Sequence, residues 1–179
     1  MTFKQFYSYK TVPSTMDVAR EKAIGGNEAG SVVMAEFQTQ GRGRQGRGWF
    51  APPGANVCMT AIGWPVATHE AWQIALLAGV AAAEGVRAVT SLPAGVRFPN
   101  DIYLAGRKLG GILVETVPHP KQGFVTPLVG IGINVNVPED SFPEAVRAMR
   151  CLITPPPRSA SIRPRFASRT DWPRSASDI

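Results

Sequence analysis

A chain of 179 residues, 44% hydrophobic and 18% charged, has the size and composition of one globular domain with its own core. The longest apolar stretch, around Ile74 to Ala83, is shorter than the roughly 20 residues of a membrane span, and Met1 to Lys10 lacks the apolar run of a secretion signal, so a cytoplasmic protein without a membrane partner is expected. The formal charge of +6 divides evenly, 14 basic against 11 acidic side chains in residues 1–150 and five Arg against two Asp in the last 29, so the high pI is weak evidence for a nucleic-acid ligand.

Phe3 to Tyr9 reads as a short strand, and Ser14 or Thr15 can cap a helix that Gly25-Gly26 ends. Ser31 to Gln38 reads as a buried strand, Gly41 to Gly48 as irregular, and Asn56 to Trp64 as an alternating strand. His69 to Val89 is the clearest helix, with Trp72, Ala75, Leu76, Gly79 and Val80 at helical spacing, and Pro93 to Gly95 breaks it. Ile102 to Leu104 and Leu109 to Val117 flank a hairpin-like turn at Ala105 to Lys108, and Phe124 to Val137 supplies one or two strands. Helices and hairpins in this order predict an α+β domain with a mixed, largely antiparallel sheet flanked by helices. From Cys151 the texture changes, with Pro, Arg and Ser making 15 of the last 29 residues, which predicts a disordered tail over 151–179. Cys58 and Cys151 have no metal-ligand spacing and read as packing residues.

The strongest chemical signal is the run Gly41-Arg42-Gly43-Arg44-Gln45-Gly46-Arg47-Gly48-Trp49. Glycines let the backbone approach a ligand and arginines offer planar forks to carboxylate and phosphate, so an anionic ligand is expected. Composition alone leaves an exposed RNA-binding loop equally open.

Ser14-Thr15-Met16, Gln38 with the glycine run, Arg97-Phe98-Pro99-Asn100-Asp101, Gly106 to Leu113 and Gly130 to Asn136 stand in the order and approximate spacing of the motifs of the biotin protein ligase family. The chain resembles that family from about Tyr9 to Arg150. The resemblance implies the class II aminoacyl-tRNA synthetase-like (biotin synthetase-like) catalytic fold, a catalytic domain over 1–150 incomplete at its C-terminal end, and two substrates, ATP (bringing Mg2+) and biotin. It further implies formation of biotinyl-5′-AMP and transfer of biotin to a lysine on the biotinyl carrier domain of a carboxylase.

The residues divide accordingly. Joining a carboxylate to a phosphate brings two anions together, and fixed cations offset that repulsion. Arg42, Arg44, Arg47, Arg97 and Lys108 are the candidates. By resemblance, Lys108 lies at the reacting carboxylate and phosphate, Arg44 retains biotin and the adenylate, and Gly41, Gly43 and Gly111 lie along the ligand. A solvated turn lysine is the competing account of Lys108. Ser14, Thr15 and Gln38 suit biotin's neutral ureido ring, with Met16 standing where relatives usually carry Asn. Trp49 and Asn134 match positions near the nucleotide. Asn100 and Asp101 are read toward the phosphates or, for Asp101, as acceptor of the incoming lysine's proton, and a structural turn explains them almost as well. No dedicated protein metal site is read. Relatives usually have Lys-Trp where this chain has Arg97-Phe98.

The rival readings are a lipoate or octanoate transferase and a catalytically impaired fragment that only binds. Truncation or a shifted reading frame after about Arg150 would explain the tail, a native tail being the alternative; a homodimer is left open, and no specific nucleic-acid partner is expected.

Overall fold

The computed structural model describes residues 4–26, 28–138 and 141–144, so the predicted boundary at 150 and the tail over 151–179 lie outside the described residues. Strand β1 (Phe6–Val12) leads into helix α1 (Thr15–Gly25), whose N-cap is Ser14 and whose C-cap, Gly26, takes a φ of 131° that L side chains rarely adopt. Strand β2 (Val32–Gln38) returns parallel to β1, and β3 (Asn56–Ile62) runs antiparallel to β2. A short β4 (Val66–Ala67) precedes α2 (Gln73–Thr90), and β5 (Gly95–Arg97), β6 (Asp101–Leu104), β7 (Arg107–Pro118) and β8 (Phe124–Asn134) follow. The sheet order is β1-β2-β3-β8-β7-β6-β5, with β4 on β8 and β1–β2 its parallel pair, which is the expected α+β, largely antiparallel arrangement.

Two expectations need correction. Helix α2 starts at Gln73 rather than His69, because Thr68–Glu70 closes a separate tight turn. Of the residues read at helical spacing, Gly79 is buried but Trp72, Leu76 and Val80 point outward, and the packed side is completed by Ala83 and Val86 with Ile74, Ala78 and Ala82 against them. Small residues win because they let the helix approach the sheet, Gly79 lying 3.5 Å from Val96 at its would-be Cβ. At 18 residues and a mean hydropathy of 1.2, α2 has the length and composition of a short membrane span, and it packs on the sheet through one side only, with 17% of it buried.

The sheet's two faces differ, and β8 shows how. Val129, Ile131 and Ile133 belong to the cluster under α2, whereas Leu128 joins Met16, Ala19, Val33, Ile62 and Val117 under α1. On the α1 face, Gly130 and Gly132 then leave room, filled by the methyl of Met16 and the indole of Trp49. That relief opens the cleft.

Candidate active site on the α1 face of the sheet

The polar recess of the cleft comes from the first turn of α1 and the ends of β2 and β3. Ser14 Oγ accepts from the Met16 amide at 3.3 Å. Thr15 donates to Gln38 Oε1 twice, from its amide at 2.7 Å and its hydroxyl at 3.0 Å, and its Oγ1 lies 2.9 Å from Thr60 Oγ1. Ser14, Thr15 and Thr60 are buried, so these bonds fix hydroxyl positions in a low-dielectric pocket. Parallel pairing puts Gln38 there, opposite Val12 and close to the helix cap.

The glycine-rich run is not shapeless. It folds into a small hairpin with Arg42 bridging Gly48, Gly43 N donating to Arg47 O at 2.7 Å and Trp49 N to Gly41 O at 2.8 Å. Its tip is Gln45 (φ 58°, ψ 36°) and Gly46 (φ 73°), two successive left-handed residues as in a type I′ turn. The Gly43 amide is therefore used inside the hairpin. Arg44 reaches Asn100 Oδ1 at 2.6 Å, Arg47 returns to Gln45 at 2.8 Å, and Arg42 is bidentate on Asp17 at 2.9 and 2.6 Å. The contact with Arg42 holds the Asp17 carboxyl below its usual range, and Asp17 in turn raises the Arg42 guanidinium.

The third wall is the β6–β7 hairpin, turned by Ala105 (φ 49°) and Gly106 (φ 76°). Tyr103 pairs with Lys108 but Ile102 pairs with Gly110, so β7 carries a bulge. Strict alternation back from Gly111 would send Lys108 to the α2 face; the bulge instead places it beside Asp101, Nζ to Oδ1 2.5 Å, and gives Leu109 to the core. Arg97 donates to Tyr103 Oη at 2.8 Å and stacks on that ring at 5.1 Å. Asn100 is oriented by its Nδ2, which donates to Ile112 O at 3.0 Å.

Of the predicted site residues, Ser14, Thr15, Met16, Gln38, Arg42, Gly43, Arg44, Arg47, Trp49, Arg97, Asn100, Asp101, Lys108 and Gly111 line one cleft of about 600 Å³, and Gly41 and Asn134 stand outside its lining. Asn134 faces Asn56 across β3–β8, both buried, and among the described residues Asn134 Oδ1, Asn134 Nδ2 and Asn56 Oδ1 have no hydrogen-bond partner. Thr60 and Tyr103 were missed by sequence reasoning. A threonine at an inward position of an alternating strand was the available signal for Thr60; nothing flagged Tyr103.

A mixed sheet that gathers a buried hydroxyl–amide recess and several cations in one cleft defines a domain for a small ligand that is neutral in one part and anionic in another. The chain belongs to the biotin/lipoate A/B protein ligase family, whose model matches residues 8–136. It is 35% identical to the bifunctional ligase/repressor BirA of Bacillus spizizenii over 137 residues, covering 76% of this chain and 42% of that protein. It is 34% identical to the biotin–[acetyl-CoA-carboxylase] ligase of Mycobacterium tuberculosis over 169 residues, covering 89% and 58%. Among solved structures it resembles the Aquifex aeolicus biotin protein ligase in complex with biotin and ATP (28% identity, TM-score 0.67, 84% of this chain and 60% of that one). It also resembles the Leishmania major enzyme in complex with biotinyl-5-AMP (27%, TM-score 0.65, 83% and 63%). The fold is thus the class II synthetase-like catalytic fold of biotin protein ligases. The chain spans about half the length of the curated relatives it matches.

Proposed function

We propose that this domain joins biotin to ATP as biotinyl-5′-AMP, releasing pyrophosphate, and passes the biotinyl group to a lysine of a carboxylase's biotinyl carrier domain. The observation that carries the reading is the meeting of the Thr15–Gln38–Thr60 recess with Arg44, Arg97 and Lys108 in one cleft of a family member. The ureido ring of biotin takes the recess, where fixed donors and acceptors match a neutral group. Its carboxylate oxygen attacks the α-phosphorus, and Lys108, Arg44 and Arg97 balance the charge that builds there. Magnesium enters as the triphosphate's counter-ion. In the second step the carrier lysine attacks the acyl carbon, AMP leaves, and Asp101 accepts the amine's proton. Lys108 pairs with Asp101 and Arg44 with Asn100, so incoming phosphates compete with these partners for the two cations. Asn134, whose buried amide oxygen and nitrogen lack partners among the described residues, keeps the place near the nucleotide that the family resemblance gives it. A cytoplasmic setting fits this use of ATP.

The test is pyrophosphate release with ATP and biotin, with lipoate in parallel, followed by transfer to a biotinyl carrier domain. Release with biotin and not with lipoate is expected. Release with lipoate alone would reassign the site to lipoyl transfer, and binding without release would leave a binding module.

A further inference from the structure

The glycine-rich hairpin closes on itself, so something outside it must set where it stands. Arg44 and Trp49, the residues it delivers to the cleft, meet Asn100 and Gly132, but its base is held at Arg42. Arg42 grips Asp17 with two bonds, and its Nε lies 3.7 Å from Glu115, which also pairs with Arg20. Two cations face two anions in this cluster, so Arg42 presents no net charge to a ligand. Asp17 lies in the first turn of α1, two residues beyond Thr15, and the same turn therefore builds the polar recess and holds the hairpin.

We infer that Asp17 is a positioning residue: through Arg42 it fixes the base of the glycine-rich hairpin, and so the placement of Arg44 and Trp49, relative to the recess formed by Ser14 and Thr15. The side chains of the pair are 38% and 40% exposed, where an ion pair contributes little to folding stability. The pair's consequence is then geometric. Removing it leaves the fold and frees the hairpin as a unit, because the Gly43 and Trp49 amides still close it internally. The inference rests on the proposed function only in that Arg44, carried by the hairpin, is read as balancing charge at the reacting phosphate.

The experiment compares Asp17→Asn, Asp17→Glu and Arg42→Gln with the unaltered chain, following thermal midpoint, hydrogen exchange at the buried Trp49 indole N–H, and KM and kcat for pyrophosphate release. Asn removes the charge at constant shape and Gln cuts the tether from the hairpin side. Both should raise KM for ATP about two- to five-fold, as loss of a solvated ion pair allows, and speed exchange of the Trp49 indole N–H. Glu should recover most of both effects, with the thermal midpoint unchanged in all three. Equal exchange in Asp17→Asn and the unaltered chain overturns the inference. So does a Glu variant no better than Asn, or a raised KM accompanied by falls in both kcat and thermal midpoint, which would make the pair merely structural. If the unaltered chain releases no pyrophosphate, the functional reading fails, while the exchange comparison still decides the tether; if Asp17→Asn does not fold, Arg42→Gln decides it.

Discussion

The indole of Trp49 lies directly on the backbone of Gly132, so closely that a Cβ on that glycine would stand 2.5 Å from the ring. The contact joins the end of the glycine-rich hairpin to the middle of β8. Gly132→Ala should therefore expel the ring rather than tolerate it, weakening nucleotide binding more than biotin binding, at a stability cost of about 1–3 kcal/mol. Tryptophan fluorescence and parallel ligand titrations check this; an unchanged emission spectrum with normal ATP affinity would show that the ring is not needed where it lies.

Lys108→Ala should abolish pyrophosphate release while shifting folding stability by less than about 1 kcal/mol, because its pair with Asp101 is about a quarter exposed and both groups reach water. Retained release would return Lys108 to the status of a turn lysine.

Thr60→Val removes a hydroxyl and keeps the shape. The Thr15 hydroxyl loses one of two partners in a buried pocket, which should cost about 1 kcal/mol of stability and roughly five-fold in biotin affinity, with KM for ATP unaffected. Calorimetric titration with biotin reads both the affinity and its specificity for that ligand.

Arg97→Lys should change the apparent affinity for ATP more than that for biotin. Lysine keeps the charge but cannot reproduce the stacked, hydrogen-bonded seat on Tyr103. A change in biotin affinity alone would move the residue to the other half of the cleft.

Burial pushes the Cys58 thiol up to about 11, with an indole N–H from Trp49 pulling the other way. The unfolded thiol ionises first as pH rises, so the stability it contributes is complete below about pH 9 and declines as the pH climbs toward about 11. Urea midpoints at pH 8 and 10.5 should fall further for the unaltered chain than for Cys58→Ala; parallel declines would place the thiol in water.

Much of this is legible in the sequence alone. The Ser14 cap, the glycine stop of α1 and the β6–β7 turn are local chemistry, and they appear where the sequence puts them. The cleft residues were legible as ordered motifs, and the sheet brings most of them together. What was not legible depends on distant packing. The orientation of α2 could not be read because apolar residues lie all around it. The side of β7 on which Lys108 falls is set by a bulge that no alternation pattern announces. Arg42 reads as one more cation until Asp17 is seen opposite it.

The outward side of α2 has a practical consequence. Trp72, Leu76, Leu77 and Val80 stand exposed there, on a helix whose charged side chains are Glu84 and Arg87 alone. Such a surface is repelled weakly by its own copies and attracted to them as water is made less hospitable to hydrocarbon. The isolated domain should therefore salt out early and self-associate as it is concentrated, sulfate promoting this more than chloride. Leu77→Glu, which adds an acid to the apolar strip without touching the cleft, should raise its solubility limit.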